Sequence, residues 1–252
     1  MNTTSIDDKP AGDAMLEPRR LAGDRGLGWW TEAWALFMRS ALLWMALGLI
    51  LVVLLLVMAM VPVLGSVAFT LLMPVFVGSW MLAARKIHEG GALEVGDLFL
   101  AFQGPRFAPL LVLGALLVAA TMVIMFVAGM LGAGAILGLT TGGGTRHSAG
   151  GVMAALGAGF AALTVALVLG AIVTMALWFA PALVVFRNLP PVQALKLSTV
   201  VVLKNWLAFL VFGVIYLVAS IVASIPFGLG WIVLVPVSLL TMFVSYREVF
   251  EA

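Results

Sequence analysis

The chain has no cysteine, only two histidines, and charged residues make up just 10% of its 252 positions. Without cysteine there is no disulfide, no thiolate nucleophile and no Cys-ligated metal. The scarcity of charge is more telling. Soluble domains are about 25% charged and about 45–50% apolar, whereas 64% of this chain is hydrophobic. A water-soluble fold of this size exposes too much surface to hide that excess. A bilayer removes the constraint, so the chain is read as an all-α polytopic membrane protein. Its net charge of +2 then serves as an orientation signal and as lipid-headgroup contacts, and does not point to nucleic acid.

A helix of about 20 apolar residues crosses the roughly 30 Å hydrocarbon core. Uncharged stretches of that length predict six spans, at about 41–61, 64–84, 107–130, 158–179, 206–225 and 228–246. Between residues 131 and 159 the glycines leave a loop, a broken helix or a re-entrant segment open. Residues 1–28 carry Asp7, Asp8, Asp13, Glu17 and Asp24 against Lys9, Arg19, Arg20 and Arg25. That stretch has no apolar core of a signal peptide and is expected to be a disordered cytoplasmic tail, followed by a single transmembrane domain over 29–252. Of the 13 Lys and Arg, all but Arg146 fall on one side of this topology. The positive-inside rule makes that side, and both termini, cytoplasmic.

The chain also repeats. A shift of about 162 residues lays Trp44 on Trp206, Pro74 on Pro236 and Arg85 on Arg247. Both stretches run as entry, helix, uncharged Pro/Gly turn (Pro62 to Gly65, Pro226 to Gly230), Pro-kinked helix and exit arginine. The middle of the chain fits more loosely, which gives three parallel hairpins, each preceded by a cytoplasmic interfacial helix. At 100° per residue Trp30, Ala33, Trp34 and Phe37 share one face, with Glu32 and Arg39 opposite. Val95, Leu98, Phe99 and Phe102 share a face that excludes Asp97 and Gln103. Such helices lie at the headgroup boundary or pack on the bundle's cytoplasmic end.

No span contains Asp, Glu, Lys, Arg or His. Intramembrane ionisable groups are kept mainly for proton relays, ion pathways and charged substrates, so catalysis is not expected: no catalytic, cofactor-binding or metal residue is assigned. His88 and His147 fall on opposite sides of the membrane and share no metal. The run from Gly142 to Arg146 lacks the ending of a phosphate loop. The polar seam is made of hydroxyls: Tyr216, Ser220 and Ser224 on the fifth span, Ser238, Thr241 and Ser245 on the sixth. Interhelical hydrogen bonding, worth about 0.6 kcal/mol per contact, is one reading of it, and a weakly polar path for a small amphiphile is the other. Ala154, Ala158, Ala162, Ala166, Gly170 and Thr174 form a small-residue stripe on the fourth span, predicting a central fourth helix and a peripheral, lipid-facing first.

Pro191-x-x-Ala194-Leu195-Lys196-x-Ser198, then Asn205-Trp206 opening an apolar helix, resembles a signature of bacterial inner-membrane proteins. Gly28-Trp29-Trp30 before the first span and Leu82-Ala-Ala-Arg85 closing the second are similar too. Over roughly 28–250 the chain resembles an uncharacterised proteobacterial six-helix family. That family is distantly similar to the membrane domain attached to some bacterial glycerophosphodiester phosphodiesterases. The resemblance implies a fold and an inner-membrane location but lends no activity. Asn205 and Trp206 read as an interface anchor, the amide satisfying loop backbone and the indole at headgroup depth, with Trp44 doing the same in the first repeat. The expected role is non-enzymatic: a scaffold, an envelope-maintenance protein or a subunit that pairs with itself or another membrane protein, with membrane lipids as partners. A permease or handler of lipids or amphiphiles is the alternative.

Overall fold

The computed structural model describes residues 18–141 and 149–251, the side chains of 134–141, 149–151 and 154 excepted. Among them there is no strand. The order is α1 (Arg25–Met38), α2 (Ala41–Ala59), α3 (Leu64–His88), a 3-10 helix (Val95–Phe102), α4 (Phe107–Thr141), α5 (Ala149–Arg187), α6 (Pro191–Lys204), α7 (Trp206–Ser224) and α8 (Trp231–Phe250). Among the described residues six helices, α2, α3, α4, α5, α7 and α8, are long and apolar enough to cross a membrane. Each holds one expected span. A short helix precedes each pair of long ones. The glycine-rich stretch is no re-entrant segment where it is described. α4 continues to Thr141 and α5 begins at Ala149, so at 1.5 Å per residue each exceeds 50 Å, about 20 Å more than the hydrocarbon core.

The chain divides into two compact units. One takes its described residues from Val53–Gly78 and Ala101–Thr199. There α4 and α5 pack together, and α3 meets α4 where Gly114 lies on the backbone of Leu71; a methyl at Gly114 would collide with that carbonyl. Val75, Phe76, Leu110, Leu113 and the run from Phe179 to Val185 are its core. Pro181 sits inside α5, one turn beyond an unusual bridge. Ser198 Oγ accepts from Phe179 N–H at 3.0 Å and donates to Met175 C=O at 2.7 Å. Those are two groups that a regular helix pairs directly, and this bridge supplies a physical reason for the serine of the 191–198 motif.

The expected centrality of the fourth span is corrected here. None of the most apolar window of α5 is buried. Ala158, Ala162, Ala166 and Gly170 are half-buried, Thr174 is exposed, and a methyl at Gly170 would meet open space. Ala154 lies outside the described side chains. The first span fits its expected lipid-facing place better: α2 buries Trp44, Leu47, Gly48 and Leu51 along one side, while Leu42, Leu49, Val53 and Leu56 are exposed. Small residues permit close approach but bury little area, so a stripe of them does not by itself place a helix at the centre.

The other unit takes its described residues from Met1–Val52, Ser79–Leu100 and Val200–Ala252. In it α1 packs on α7 and α8. Gly26 allows this, because a methyl there would run into Ala208 C=O. The buried face is Gly26, Trp29, Ala33, Leu36 and Phe37, rotated from the expected one. Trp34 is 49% exposed while Trp29 is fully buried. Trp44 is also a correction, being fully buried against Trp80 with ring centroids 5.1 Å apart. So enclosed, it is no interface anchor; Trp206 is 57% exposed. Asn205 does satisfy backbone, both locally, donating to Val201 C=O at 3.1 Å, and in a distant segment. Its Oδ1 accepts from Leu21 N–H at 2.7 Å and its Nδ2 donates to Arg19 C=O at 3.1 Å. Residues 19–24 are thereby tied down and α1 starts at Arg25, inside the stretch assigned to the tail; residues 1–17 lie outside the described ones.

Two turns repeat one device. Val63 in the first and Phe227 in the second adopt positive φ, at 63° and 52°. In each, a glycine presses on backbone seven residues earlier, Gly65 on Met58 and Gly230 on Ala223. The 3-10 helix differs from its expected α-helical face. Leu98 is buried, but so is Asp97, while Val95 and Phe99 are exposed. The cause is a half capping box: Asp97 Oδ2 accepts from Glu94 N–H at 2.8 Å and the carboxylate pairs with Lys86 at 3.1 Å. The pair reaches solvent on its Lys86 side and adds little, whereas the cap is worth about 1 kcal/mol. Asp97→Ala should therefore lower the unfolding midpoint measurably, and Asp97→Asn, which keeps an acceptor, should retain most of it; equal losses would put the charge, not the cap, in control.

Candidate functional site

α1 is fixed at its start by one carboxylate. Glu248 on α8 accepts the Trp29 indole N–H at 2.6 Å and pairs with Arg25, whose guanidinium also reaches Glu32 at 2.8 Å. The bond to Glu248 is the main reason that Arg25 titrates above its ordinary range; Glu32 adds to it and burial opposes it. Held there, α1 presents different side chains to two cavities.

The larger is an apolar groove of about 590 Å³, lined by Trp30, Thr31 and Trp34 of α1 and by the facing sides of α7 and α8, from Ala219 to Val237. Trp30 stacks on Phe212 at 5.4 Å and on Tyr216 at 6.4 Å. The small side chains Ala219 and Ala223 and the glycine at Gly230 open the space between the two helices. Trp30 Nε1 is buried with no hydrogen-bond partner among the described residues.

The smaller cavity, about 180 Å³, is lined by Glu32, Ala35, Leu36, Arg39, His88, Val244 and Arg247. Arg247 donates to His88 Nδ1 at 3.2 Å. A guanidinium can only donate, so that nitrogen accepts and the neutral Nε2–H tautomer is held. Arg39 donates to the Ile87 carbonyl at 3.4 Å.

The hydroxyl seam lines neither cavity. Ser220, Ser238, Thr241 and Ser245 bond carbonyls three residues back on their own helices, and Ser224 bonds Ser220 C=O. Ser224 also reaches another element, accepting from Trp231 Nε1 at 3.1 Å. One bond of the expected interhelical kind is thus present, between α7 and α8, and the bonds of Ser220, Ser238 and Thr241 are local. A buried hydroxyl takes the nearest carbonyl, and its own helix supplies one. His147, Arg146 and the glycines 142–144 lie outside the described residues. Among the described residues no group of three or more His, Asp or Glu could hold a metal. Sequence reasoning missed both cavities, since α1, α3 and α8 are far apart in the chain; only the aromatic pattern of α1 pointed to one of them.

No family model and no solved structure matches the chain. It is 31% identical over 209 residues to a probable inner membrane protein of Burkholderia thailandensis, covering 81% of this chain and 76% of that protein. The chain belongs to that inner-membrane protein family. Membership agrees with the six apolar helices, and the family's protein here is a transmembrane protein of the inner membrane.

Proposed function

We propose that the chain is a non-enzymatic inner-membrane protein, both termini cytoplasmic, that holds the apolar chain of a lipid or other amphiphile. The groove beneath Trp30 and Trp34 carries this reading. It is almost wholly apolar, borders spanning helices, and ends at aromatic rings of the kind that sit at headgroup depth. The unpartnered Trp30 N–H offers one donor to an ester or hydroxyl of such a ligand. The resemblance to membrane domains attached to glycerophosphodiester phosphodiesterases supports a lipid-side role without lending that enzyme's chemistry. The orientation rests on the Lys and Arg asymmetry.

Photo-crosslinking tests it. In bilayers with a diazirine-bearing phospholipid chain, adducts should concentrate on groove residues such as Val222 and Val233 over Met125 and Phe126, exposed residues of α4. Ala219→Phe, which fills the groove, should remove the preference. Uniform labelling would sink the reading. Replacing Ser220 and Ser238 should change nothing, because neither lines the groove. One observation favours a second reading, a scaffold or self-associating subunit: the half-exposed small-residue face of α5, a surface suited to close helix contact. A stoichiometric co-purifying protein would support it.

A further inference from the structure

The smaller cavity gathers two guanidiniums that no carboxylate pairs among the described residues. Arg25, Arg85 and Lys86, its neighbours in the same unit, are each paired with a carboxylate, respectively Glu248, Glu251 and Asp97. Among the described residues Arg39 and Arg247 are in no ion pair. Glu32 also lines the space, but Arg25 engages it at 2.8 Å.

Both guanidiniums are held in place. Arg39 bonds the Ile87 carbonyl. Arg247 lies over the Phe243 ring at 5.9 Å while bonding His88, whose ring meets Phe243 edge-on at 6.1 Å. Each guanidinium has five N–H donors and spends one of them in these bonds. Positioned forks with unused donors are what bidentate recognition of tetrahedral oxyanions requires, and little side-chain freedom is left to lose on binding. We infer that the cavity bounded by Arg39, His88 and Arg247 binds a phosphate group, carried either by a lipid headgroup or by a small phosphate compound. The site stands independently of the groove reading.

The competing account is that these cations only neutralise helix C-termini, since Arg39 caps α1, His88 ends α3 and Arg247 lies in the last turn of α8. The experiment separates the two. The full chain in phosphatidylcholine nanodiscs is labelled with phenylglyoxal, and modification at each arginine is read by peptide mass spectrometry. One arm adds inorganic phosphate; the other replaces part of the lipid with phosphatidylglycerol. Protection of Arg39 and Arg247 by about tenfold, with exposed Arg106 unchanged, is expected for charge-assisted bonds to phosphate. Protection in the lipid arm alone assigns a headgroup; protection by inorganic phosphate assigns a small phosphate compound. No protection in either arm, or equal protection at Arg106, overturns the site. A paired variant, Arg39→Gln with Arg247→Gln, should lose retained phosphatidylglycerol or phosphate by about the same factor, while Lys204→Gln keeps it. The labelling needs no variant, so it decides even if that protein fails to fold.

Discussion

Gly114→Ala should destabilise the chain by about 2 kcal/mol, and Gly114→Leu by more, whereas Gly170→Ala should be neutral or mildly stabilising. Both glycines lie within long apolar helices and both would gain helix propensity from a methyl, so propensity predicts the same sign for both. Surroundings reverse it at one site. A methyl at Gly114 falls on the Leu71 carbonyl, and at Gly170 it meets nothing within 4 Å. At Gly114 the obstacle is backbone, which no rotamer change relieves, so α3 and α4 must move apart. Side chains packed behind them, Leu110 and Leu113, would then lose contacts. Unfolding by SDS in mixed micelles, followed by tryptophan fluorescence, gives both values. If Gly114→Ala is tolerated as well as Gly170→Ala, the helices do not approach there.

The contrast shows which part of packing a sequence carries. Apolar length and the absence of charge gave six helices, since crossing a bilayer needs little else. Periodicity of small residues is weaker, because it says that a face could approach another helix closely and not that it does. The stripe from Ala158 to Thr174 is legible and half-bare, whereas Gly114 stands alone between larger residues and makes the tight contact. A tryptophan near a helix end is equally ambiguous. Trp44 and Trp206 occupy matching places in the repeat, yet one packs against Trp80 and is buried while the other stays exposed.

The candidate site was legible only in its aromatic half. Trp30 and Trp34 were placed on one helical face, and both line the groove. Most of the hydroxyls of the seam bond carbonyls of their own helices. Trp29 is legible only as part of the Gly28-Trp29-Trp30 motif, because the partners that enclose it, Phe209, Phe212 and Glu248, lie about 180 or more positions away. Arg39, His88 and Arg247 come from three helices. No spacing rule joins them, since tertiary folding alone sets their proximity.

Glu248→Ala is expected to cost about 2–4 kcal/mol, among the largest effects of any exchange near the site. Two losses combine. The Trp29 indole N–H, fully buried, loses its acceptor, and an orphaned buried donor costs about 1–3 kcal/mol. Arg25 loses the partner that most raises its proton affinity, but it is partly exposed and keeps Glu32, so water and that carboxylate recover much of the second loss. Glu248→Gln separates them. Its amide oxygen can still accept from Trp29, so only the charge-assisted part is lost and about 1 kcal/mol is expected. Equal losses for the two variants would show the ion pair, not the indole bond, to be what anchors α1. The consequence reaches the groove, because Trp30 and Trp34 are carried on the helix that Glu248 holds. In Glu248→Ala the acyl-chain crosslinks at Val222 should weaken even under conditions where the protein remains folded, and in Glu248→Gln they should persist. If crosslinking survives unchanged in the alanine variant, α1 is held by its apolar face alone and the groove does not depend on the carboxylate.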